Sequence, residues 1–240
     1  MLPQTLRVGL IVPSSNTVME PDFHREIGRS AIVSTTRIFL EDVTREAEVR
    51  MLEDELPQAV KRIRTTAPDV VVFGCTSAGA LGTLSHDDGI AKMIEDEVGA
   101  TSITVLRAVL KRLNSIRPQR IAVLTPYIED LTAGIARSLG EAGFSAIKAA
   151  GMGIKANLEI GRVTPAEIVQ FVESQLSGIN PDCLFLSCTN WRAIEAIPAL
   201  HAQLGISIIT SNQAAIDIVS QTVRPSAALN HNIVAATMKP

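Results

Sequence analysis

Two cysteines occupy matching positions in two related segments of the sequence. Cys75 lies in PDVVVFGCTSAGA, which begins at Pro68, and Cys188 lies in PDCLFLSCTNWRA, which begins at Pro181, an offset of 113 residues. One thiol of such a pair can attack an activated double bond while the other transfers a proton, or the two can act on opposite faces of a carbon. Neither reaction requires an external cofactor. The pair therefore predicts cysteine chemistry on a small substrate.

The residues around the two cysteines are suited to holding an anion. Each cysteine is predicted to follow a buried strand and precede a helix, where backbone N–H groups and the helix dipole favour a thiolate. Side chains and N–H groups of four neighbours could bind a carboxylate; these are Thr76, Ser77, Thr189 and Asn190. A free cysteine is also a common small core residue. Cys183, which matches Val70 of the first segment, is interpreted in that way.

Three further polar residues are candidates for binding the same substrate. Asn16, in PSSN after the first strand, could donate its amide to a carboxylate or cap a helix. Tyr127, the single tyrosine, could place its hydroxyl in the cleft or be a half-buried aromatic. Asn157 follows a glycine-containing loop and could reach over the site or form an ordinary turn. The sequence leaves these alternatives open.

Short runs rich in β-branched residues recur along the chain, with helical stretches between them. Runs that are apolar throughout are typical of parallel strands covered on both faces. We predict strands at residues 7–12, 32–40, 69–74, 101–106, 120–125, 144–150, 182–187 and 207–210. We predict helices at residues 44–66, 87–98, 107–113, 128–141, 165–176, 191–204 and 213–223. In the first helix Thr44 is the expected N-cap and Pro57 is expected to kink or divide the helix. Thr164 and Glu167 are expected to form a capping box.

This order of elements occurs twice. RVGLIVPSSN begins at Arg7 and RIAVLTPYIE at Arg120, which repeats the offset of 113 residues. Two separate segments with one offset indicate duplicated halves. We predict an α/β fold of two pseudo-symmetric, flavodoxin-like, doubly wound parallel-sheet halves, residues 1–115 and 116–240, with the last segment packing back on the first half. Ligands of such sheets bind beyond the carboxyl ends of the strands, so both halves are expected to face one central cleft.

Composition disfavours several classes of function. The 240-residue chain has a net charge of −3 and only 3% aromatic residues, which argues against nucleic acid as a partner. Three cysteines are too few for a disulfide framework and indicate a reducing compartment. The first residues lack a signal-peptide pattern and no stretch resembles a membrane span, so a cytoplasmic protein without a membrane partner is expected. Histidine spacing predicts no metal site, and the glycines match no nucleotide-binding fingerprint.

The paired Cys-Thr turns in duplicated halves resemble the aspartate/glutamate racemase superfamily over nearly the whole chain. Within it, VPSSNTVME, TPYIEDL, NLEIGRVTP and SCTN are most similar to the maleate cis-trans isomerase branch, which includes the EutA proteins of ectoine utilisation. The arylmalonate decarboxylases are close relatives of this branch, but they have a glycine in place of the first cysteine, so Cys75 argues against decarboxylation. The resemblance implies an isomerase of a small dicarboxylate, with maleate to fumarate as the best match.

The resemblance also implies roles for the candidate residues. The Cys75 thiolate would add to the double bond of maleate to give a succinyl-cysteine-like adduct, and rotation followed by elimination would release fumarate. Cys188 would donate and accept a proton or stabilise the enolate-like intermediate. Asn16, Tyr127 and Asn157 match positions that bind the carboxylates, and backbone amides beside the two cysteines would complete the anion site. The family further implies no cofactor and a homo-oligomer, a dimer or larger.

The residues after the two cysteines depart from the isomerase pattern. Maleate isomerases often carry apolar residues there, whereas this chain has CTSAG and CTNWR, which are closer to amino-acid racemases and EutA proteins. A racemase of an amino acid or a hydantoin-like compound, or an EutA-like enzyme, is therefore a second hypothesis. A third hypothesis is a non-catalytic module that binds a small carboxylate in the same site.

Overall fold

The computed structural model describes residues 5–222, which form two four-stranded sheets with flanking helices. The first sheet contains β1 (Leu6–Pro13), β2 (Ala31–Ile38), β3 (Val70–Phe73) and β4 (Thr101–Thr104), in the order β2-β1-β3-β4. The second contains β5 (Ile121–Thr125), β6 (Ala146–Gly151), β7 (Cys183–Leu186) and β8 (Ser207–Thr210), in the order β6-β5-β7-β8. All neighbouring strands are parallel. The predicted α/β fold of two doubly wound halves is confirmed.

Helices connect the strands in both halves. They are α1 (Met19–Ile27), α2 (Arg45–Arg50), a π-helical turn (Met51–Glu55), α3 (Leu56–Arg64), α4 (Thr76–Gly79), α5 (Leu84–Val98), α6 (Val105–Ile116), α7 (Glu129–Glu141), α8 (Asn157–Arg162), α9 (Pro165–Leu176), α10 (Ala193–Leu204) and α11 (Ser211–Thr222). Each predicted helix is present, although residue 223, the predicted end of the last one, lies outside the described residues. Three short helices, α1, α4 and α8, are additional to the predicted ones.

The internal repeat extends to the position of single residues. β3 and β7 are related by the offset of 113 residues at both ends. Both are buried at every position, because helices cover the two faces of each sheet. Asp69 accepts a hydrogen bond from the backbone N–H of Arg7 at 2.8 Å, and Asp182 accepts one from Arg120 at 3.0 Å. The central strands of the two halves are thus fixed in the same way.

The two halves share their hydrophobic core. Alternate side chains of β3 enter two different buried clusters, with Phe73 in one and Val72 in the other. Each cluster also contains side chains of β7, Leu186 in the first and Phe185 in the second. Apolar burial on this scale is the main favourable contribution to folding, so neither half is expected to keep its structure alone.

The helical segment before β3 is divided as the sequence predicts. Thr44 caps α2, because its Oγ1 accepts a hydrogen bond from the backbone N–H of Ala47 at 3.3 Å. Pro57 stands in the first turn of α3, directly after the π-helical turn. Proline lacks the N–H that would continue an α-helical ladder through this point, and the wider π turn accommodates the break. The capping box of Thr164 and Glu167 at the start of α9 is also present.

The end of the described chain returns to the first half. Helix α11 packs against α6 and α1. The rest of the predicted returning segment, from residue 223 onward, lies outside the described residues. The predicted boundary between residues 115 and 116 falls in the last turn of α6 and stays a prediction. Within residues 5–222 no helix is both long and apolar enough to cross a membrane.

Candidate active site

Cys75 and Cys188 lie just beyond the carboxyl ends of the central strands β3 and β7. Both are almost completely buried, with 5% and 3% of their surface exposed. The hydroxyl of Thr189 donates a hydrogen bond to the carbonyl of Gly74 at 2.9 Å, which joins the turn after β7 to the turn after β3. The thiols are close enough for charge on Cys188 to raise the pKa of Cys75. The structure therefore brings the two predicted cysteines to one site.

Both thiols keep their protons more strongly than the sequence suggests. Burial raises the pKa of the Cys75 thiol well above its ordinary value, and the charge of Glu48 raises it further. Burial also raises the pKa of Cys188 to about 12, against two hydrogen bonds that lower it. The backbone N–H groups of Ala78 and Asn190 lower the two pKa values, as predicted, but burial outweighs them, so the prediction of an activated thiolate is wrong for this state. Helix α4 has only four residues, and a turn rather than a helix follows Cys188, so desolvation dominates.

Tyr127 lies beside the second thiol. Its ring is buried, with 2% of its surface exposed, and its hydroxyl is hydrogen-bonded to the thiol of Cys188. This hydrogen bond lowers the pKa of Cys188, while burial raises the pKa of Tyr127 well above its ordinary value. Because Tyr127 stays protonated, it acts as a donor towards whatever negative charge forms near Cys188.

Asn16 both caps a helix and reaches the other half. Its Oδ1 accepts hydrogen bonds from the backbone N–H groups of Val18 and Met19, each at 3.0 Å, at the start of α1. Its Nδ2 donates to Thr189 Oγ1 at 3.0 Å. The two roles that the sequence left open are therefore compatible, because the oxygen of the amide serves the helix while the nitrogen faces the turn after Cys188.

Asn157 and Asn190 link the loops around the site. Asn157 is the first residue of α8, and its Nδ2 donates to Ser15 Oγ at 2.9 Å. Asn190 donates from Nδ2 to the Asn157 carbonyl at 2.7 Å and accepts at Oδ1 from the N–H of Thr17 at 2.8 Å. A Cβ on Gly161 would approach Asn190 Oδ1 to 3.0 Å, so the glycine allows α8 to pack closely against the side chain of Asn190.

The hydroxyls expected to hold a carboxylate have partners within the protein. Thr76 donates to Ser211 Oγ, at the start of α11, at 2.9 Å. Ser77 donates to the carboxyl of Glu48. The N–H groups in the first turn of α4, by contrast, have no acceptor within that helix. The backbone at Thr76 and Ser77 is thus better placed to bind an anion than their side chains.

Glu48 is the residue of this site that the sequence analysis missed. Its side chain is completely buried, and its Oε1 lies 3.8 Å from the sulfur of Cys75. Burial raises the pKa of Glu48 to about 8. In the sequence, Glu48 stands in the first turn of the predicted helix, where an acid residue ordinarily interacts favourably with the helix N-terminus. The available signal was the position of Glu48 four and eight residues before Leu52 and Leu56, on the apolar stripe of the helix.

Backbone contacts between the halves enclose the site. Residues 41–43 and 155–157 form a short antiparallel bridge, in which the N–H of Val43 donates to the Lys155 carbonyl at 2.7 Å and that of Asn157 to the Glu41 carbonyl at 2.8 Å. All nine predicted site residues are buried. Across the described part of the chain, no three His, Cys, Asp or Glu side chains are grouped so that they could hold a metal ion.

Comparisons with known proteins identify relatives over almost the whole chain. The sequence profile of the family described as arylmalonate decarboxylase (Amdase) matches residues 8–232. A maleate isomerase of Geobacillus stearothermophilus is 25% identical, with 85% of this chain and 86% of that protein covered. A maleate isomerase of Pseudomonas putida is 27% identical, with 88% of each covered. A maleate cis-trans isomerase mutant of Nocardia farcinica, solved with a covalently bound succinylcysteine intermediate, has a TM-score of 0.83 at 21% identity and covers 91% of this chain and 92% of that one.

Proposed function

Because the chain belongs to the arylmalonate decarboxylase (Amdase) family, we propose that it is an isomerase that converts maleate to fumarate by means of two cysteines. The observation that carries this proposal is the presence of both thiols, Cys75 and Cys188, at matching strand ends of one enclosed site. Relatives named maleate isomerase support the substrate. The cysteine at position 75 favours isomerisation over decarboxylation, because the decarboxylases that this chain resembles carry glycine there.

The proposed reaction passes through a covalent adduct on Cys75. The thiol of Cys75 loses its proton as the sulfur forms a bond to one olefinic carbon, and it regains a proton when the C–S bond later breaks. During the addition the π electron pair moves to the neighbouring carbon and into its carboxylate. Cys188 gives its proton to that carbon, which leaves a single bond about which the adduct rotates. Cys188 then takes a proton back, the C–S bond breaks, and the trans double bond forms. The succinylcysteine seen in the Nocardia farcinica mutant is the same kind of adduct.

The proposed substrate contacts come from both halves. Asn16, Tyr127 and Asn157 would bind the two carboxylates through their amide and hydroxyl groups. Backbone N–H groups would complete the anion site at Thr76, Ser77, Thr189 and Asn190. Donors that are already oriented by the fold stabilise the charge of an enolate-like intermediate without being reorganised during the reaction. The bonds that fix Asn16 and Asn190 across the two halves supply this orientation.

The direct test follows the olefinic protons of maleate by NMR. Purified protein under reducing conditions is expected to convert maleate to fumarate, and the signal of the product should grow in proportion to protein concentration. The Cys75→Ser variant provides the background rate. Failure to form fumarate at high protein concentration, with the wild type folded, would remove maleate as the substrate.

Racemisation of an amino acid is the second candidate, and Glu48 is the observation that favours it. A buried carboxyl beside Cys75 could pair with the ammonium group of an amino acid, which maleate lacks. The two reactions are separated by exchange of the substrate α-proton for deuterium from the solvent. A racemase exchanges this proton in amino acids, whereas the proposed isomerase leaves amino acids unchanged.

Replacing Tyr127 by phenylalanine is expected to lower kcat for maleate about 10- to 100-fold. The variant keeps the buried ring but loses the hydroxyl that donates to Cys188, so the second thiol loses a group that stabilises negative charge. The thermal midpoint should change little, because the packing is retained. Initial rates of fumarate formation measure the effect. An unchanged kcat would show that the hydroxyl of Tyr127 takes no part in the reaction.

We also propose that the protein is a cytoplasmic homo-oligomer, at least a dimer, with a small dicarboxylate as its ligand. The three cysteines are all free, which suits a reducing compartment. The oligomeric state follows from the family resemblance alone. Analytical ultracentrifugation of the full chain should give a mass at least twice that of one chain, and a monomer at all concentrations would contradict it.

A further inference from the structure

The proposed reaction requires Cys75 to lose its proton, yet burial and the charge of Glu48 outweigh the hydrogen bonds from Ser77 and Ala78 that favour its thiolate. The groups that affect its pKa are the carboxyl of Glu48, the hydroxyl of Ser77, the N–H of Ala78 and the second thiol, and none of them is a cation. Burial raises the pKa well above the ordinary value. The proton must therefore move to a base in contact with the sulfur as the S–C bond forms.

Glu48 is in contact with that sulfur and comes from a separate helix. The thiol of Cys75 points to Oε1 of Glu48 at 3.8 Å, and the hydroxyl of Ser77 donates to the same oxygen. The second oxygen, Oε2, is buried and has no hydrogen-bond partner among the described residues. The carboxyl therefore has one oxygen directed to the thiol and another that can hold a proton.

We propose that Glu48 is the catalytic base that takes the proton of Cys75, an inference that rests on the proposed function. The Glu48 carboxylate accepts the thiol proton at Oε1 while the sulfur electron pair forms the S–C bond. The π electron pair of the substrate moves to the next carbon, which receives the proton of Cys188. On elimination Cys188 recovers a proton, the C–S bond breaks, and Glu48 returns its proton to Cys75.

The charges around Glu48 determine how the rate depends on pH. Arg45, one turn earlier on α2, lowers the pKa of Glu48, while burial raises it to about 8. Across the site, Cys188 and Tyr127 are protonated and uncharged at that pH. The active form, with Glu48 ionised and Cys75 protonated, is thus a minority at neutral pH. We expect kcat to rise with a midpoint near pH 8. KM should rise over the same range, because an ionised Glu48 repels a doubly negative substrate.

The test compares Glu48→Gln with Glu46→Gln, an exposed acid of the same helix turn. Glu48→Gln should lower kcat for maleate about 100- to 1,000-fold and abolish the rise near pH 8, while Glu46→Gln should behave as the wild type. Glu48→Asp should retain the rise at a lower rate. An unchanged kcat in Glu48→Gln, or a lower kcat with the same pH profile, would overturn the proposal.

A second measurement does not depend on maleate. Acrylamide is an uncharged acceptor that alkylates thiols, and its reaction with Cys75 is followed by mass spectrometry of the peptide that contains this residue. If Glu48 is the base, Glu48→Gln slows the alkylation of Cys75. If Glu48 only raises the pKa of the thiol, the variant reacts faster and the proposal fails. If the wild type makes no fumarate but Glu48→Gln still slows the alkylation of Cys75, the proposed function fails. The assignment of Glu48 as the base for Cys75 then stands.

Discussion

Replacing Cys75 by serine is expected to lower the rate of maleate isomerisation by at least about 10,000-fold. The reason is that the hydroxyl of serine is a far weaker nucleophile than sulfur, and the adduct that lowers the barrier to rotation no longer forms. Serine has nearly the volume of cysteine and can donate a hydrogen bond to Glu48, so the buried site keeps its shape. Initial rates of fumarate formation, measured at matched concentrations of folded protein, give the effect directly.

The other two cysteines provide the controls for this result. Cys183→Ala should keep wild-type kcat, because Cys183 is buried within β7 as part of the core. Cys188→Ser should lose turnover but keep the nucleophile, so Cys75 should gain the mass of one maleic acid molecule. Substantial turnover by Cys75→Ser, or an adduct on Cys188 in the wild type, would contradict the assignment of the nucleophile.

The sequence predicts most of the fold because a repeat contains information about both halves. The common offset identified β3 and β7 as equivalent strands, and the structure places them at equivalent positions of their sheets. Helix α1 was not predicted, since it has nine residues and its buried face, Met19, Phe23 and Ile27, is interrupted by charged residues. Helices α4 and α8 have four and six residues, and contacts with other parts of the chain hold them in place.

The environment of the thiols could not be predicted in the same way. Sequence position places Cys75 at a strand end, and this suggested an activated thiolate. Its protonation, however, is determined by burial and by Glu48, which is 27 residues away in the sequence. A helical pattern indicates that Glu48 lies on the apolar stripe, but it does not indicate which strand end that stripe faces. Electrostatic properties of a buried site depend on such tertiary contacts.

The part of the stability that is lost as the pH rises should also identify Glu48. Its pKa is raised from 4.5 to about 8 in the folded state. Below pH 4.5 both folded and unfolded chains hold this proton, so the full stability is present. As the pH rises towards 8 the unfolded chain ionises Glu48 while the folded chain does not, and the free energy of unfolding falls. Glu48→Gln removes this loss, because glutamine does not titrate in either state.

We therefore expect the stability advantage of Glu48→Gln over the wild type to grow by about 3 kcal/mol between about pH 5 and about pH 8. Urea unfolding of both proteins at each pH measures this difference. Asp87, whose pKa is raised to about 6 by burial, titrates equally in both proteins and cancels. Glu46→Gln is the matched control and should show no such trend, since Glu46 is exposed. A constant difference between Glu48→Gln and the wild type would mean that Glu48 ionises in the folded protein at its ordinary pKa. The carboxylate would then predominate at neutral pH, and the expected rise of kcat near pH 8 would be lost.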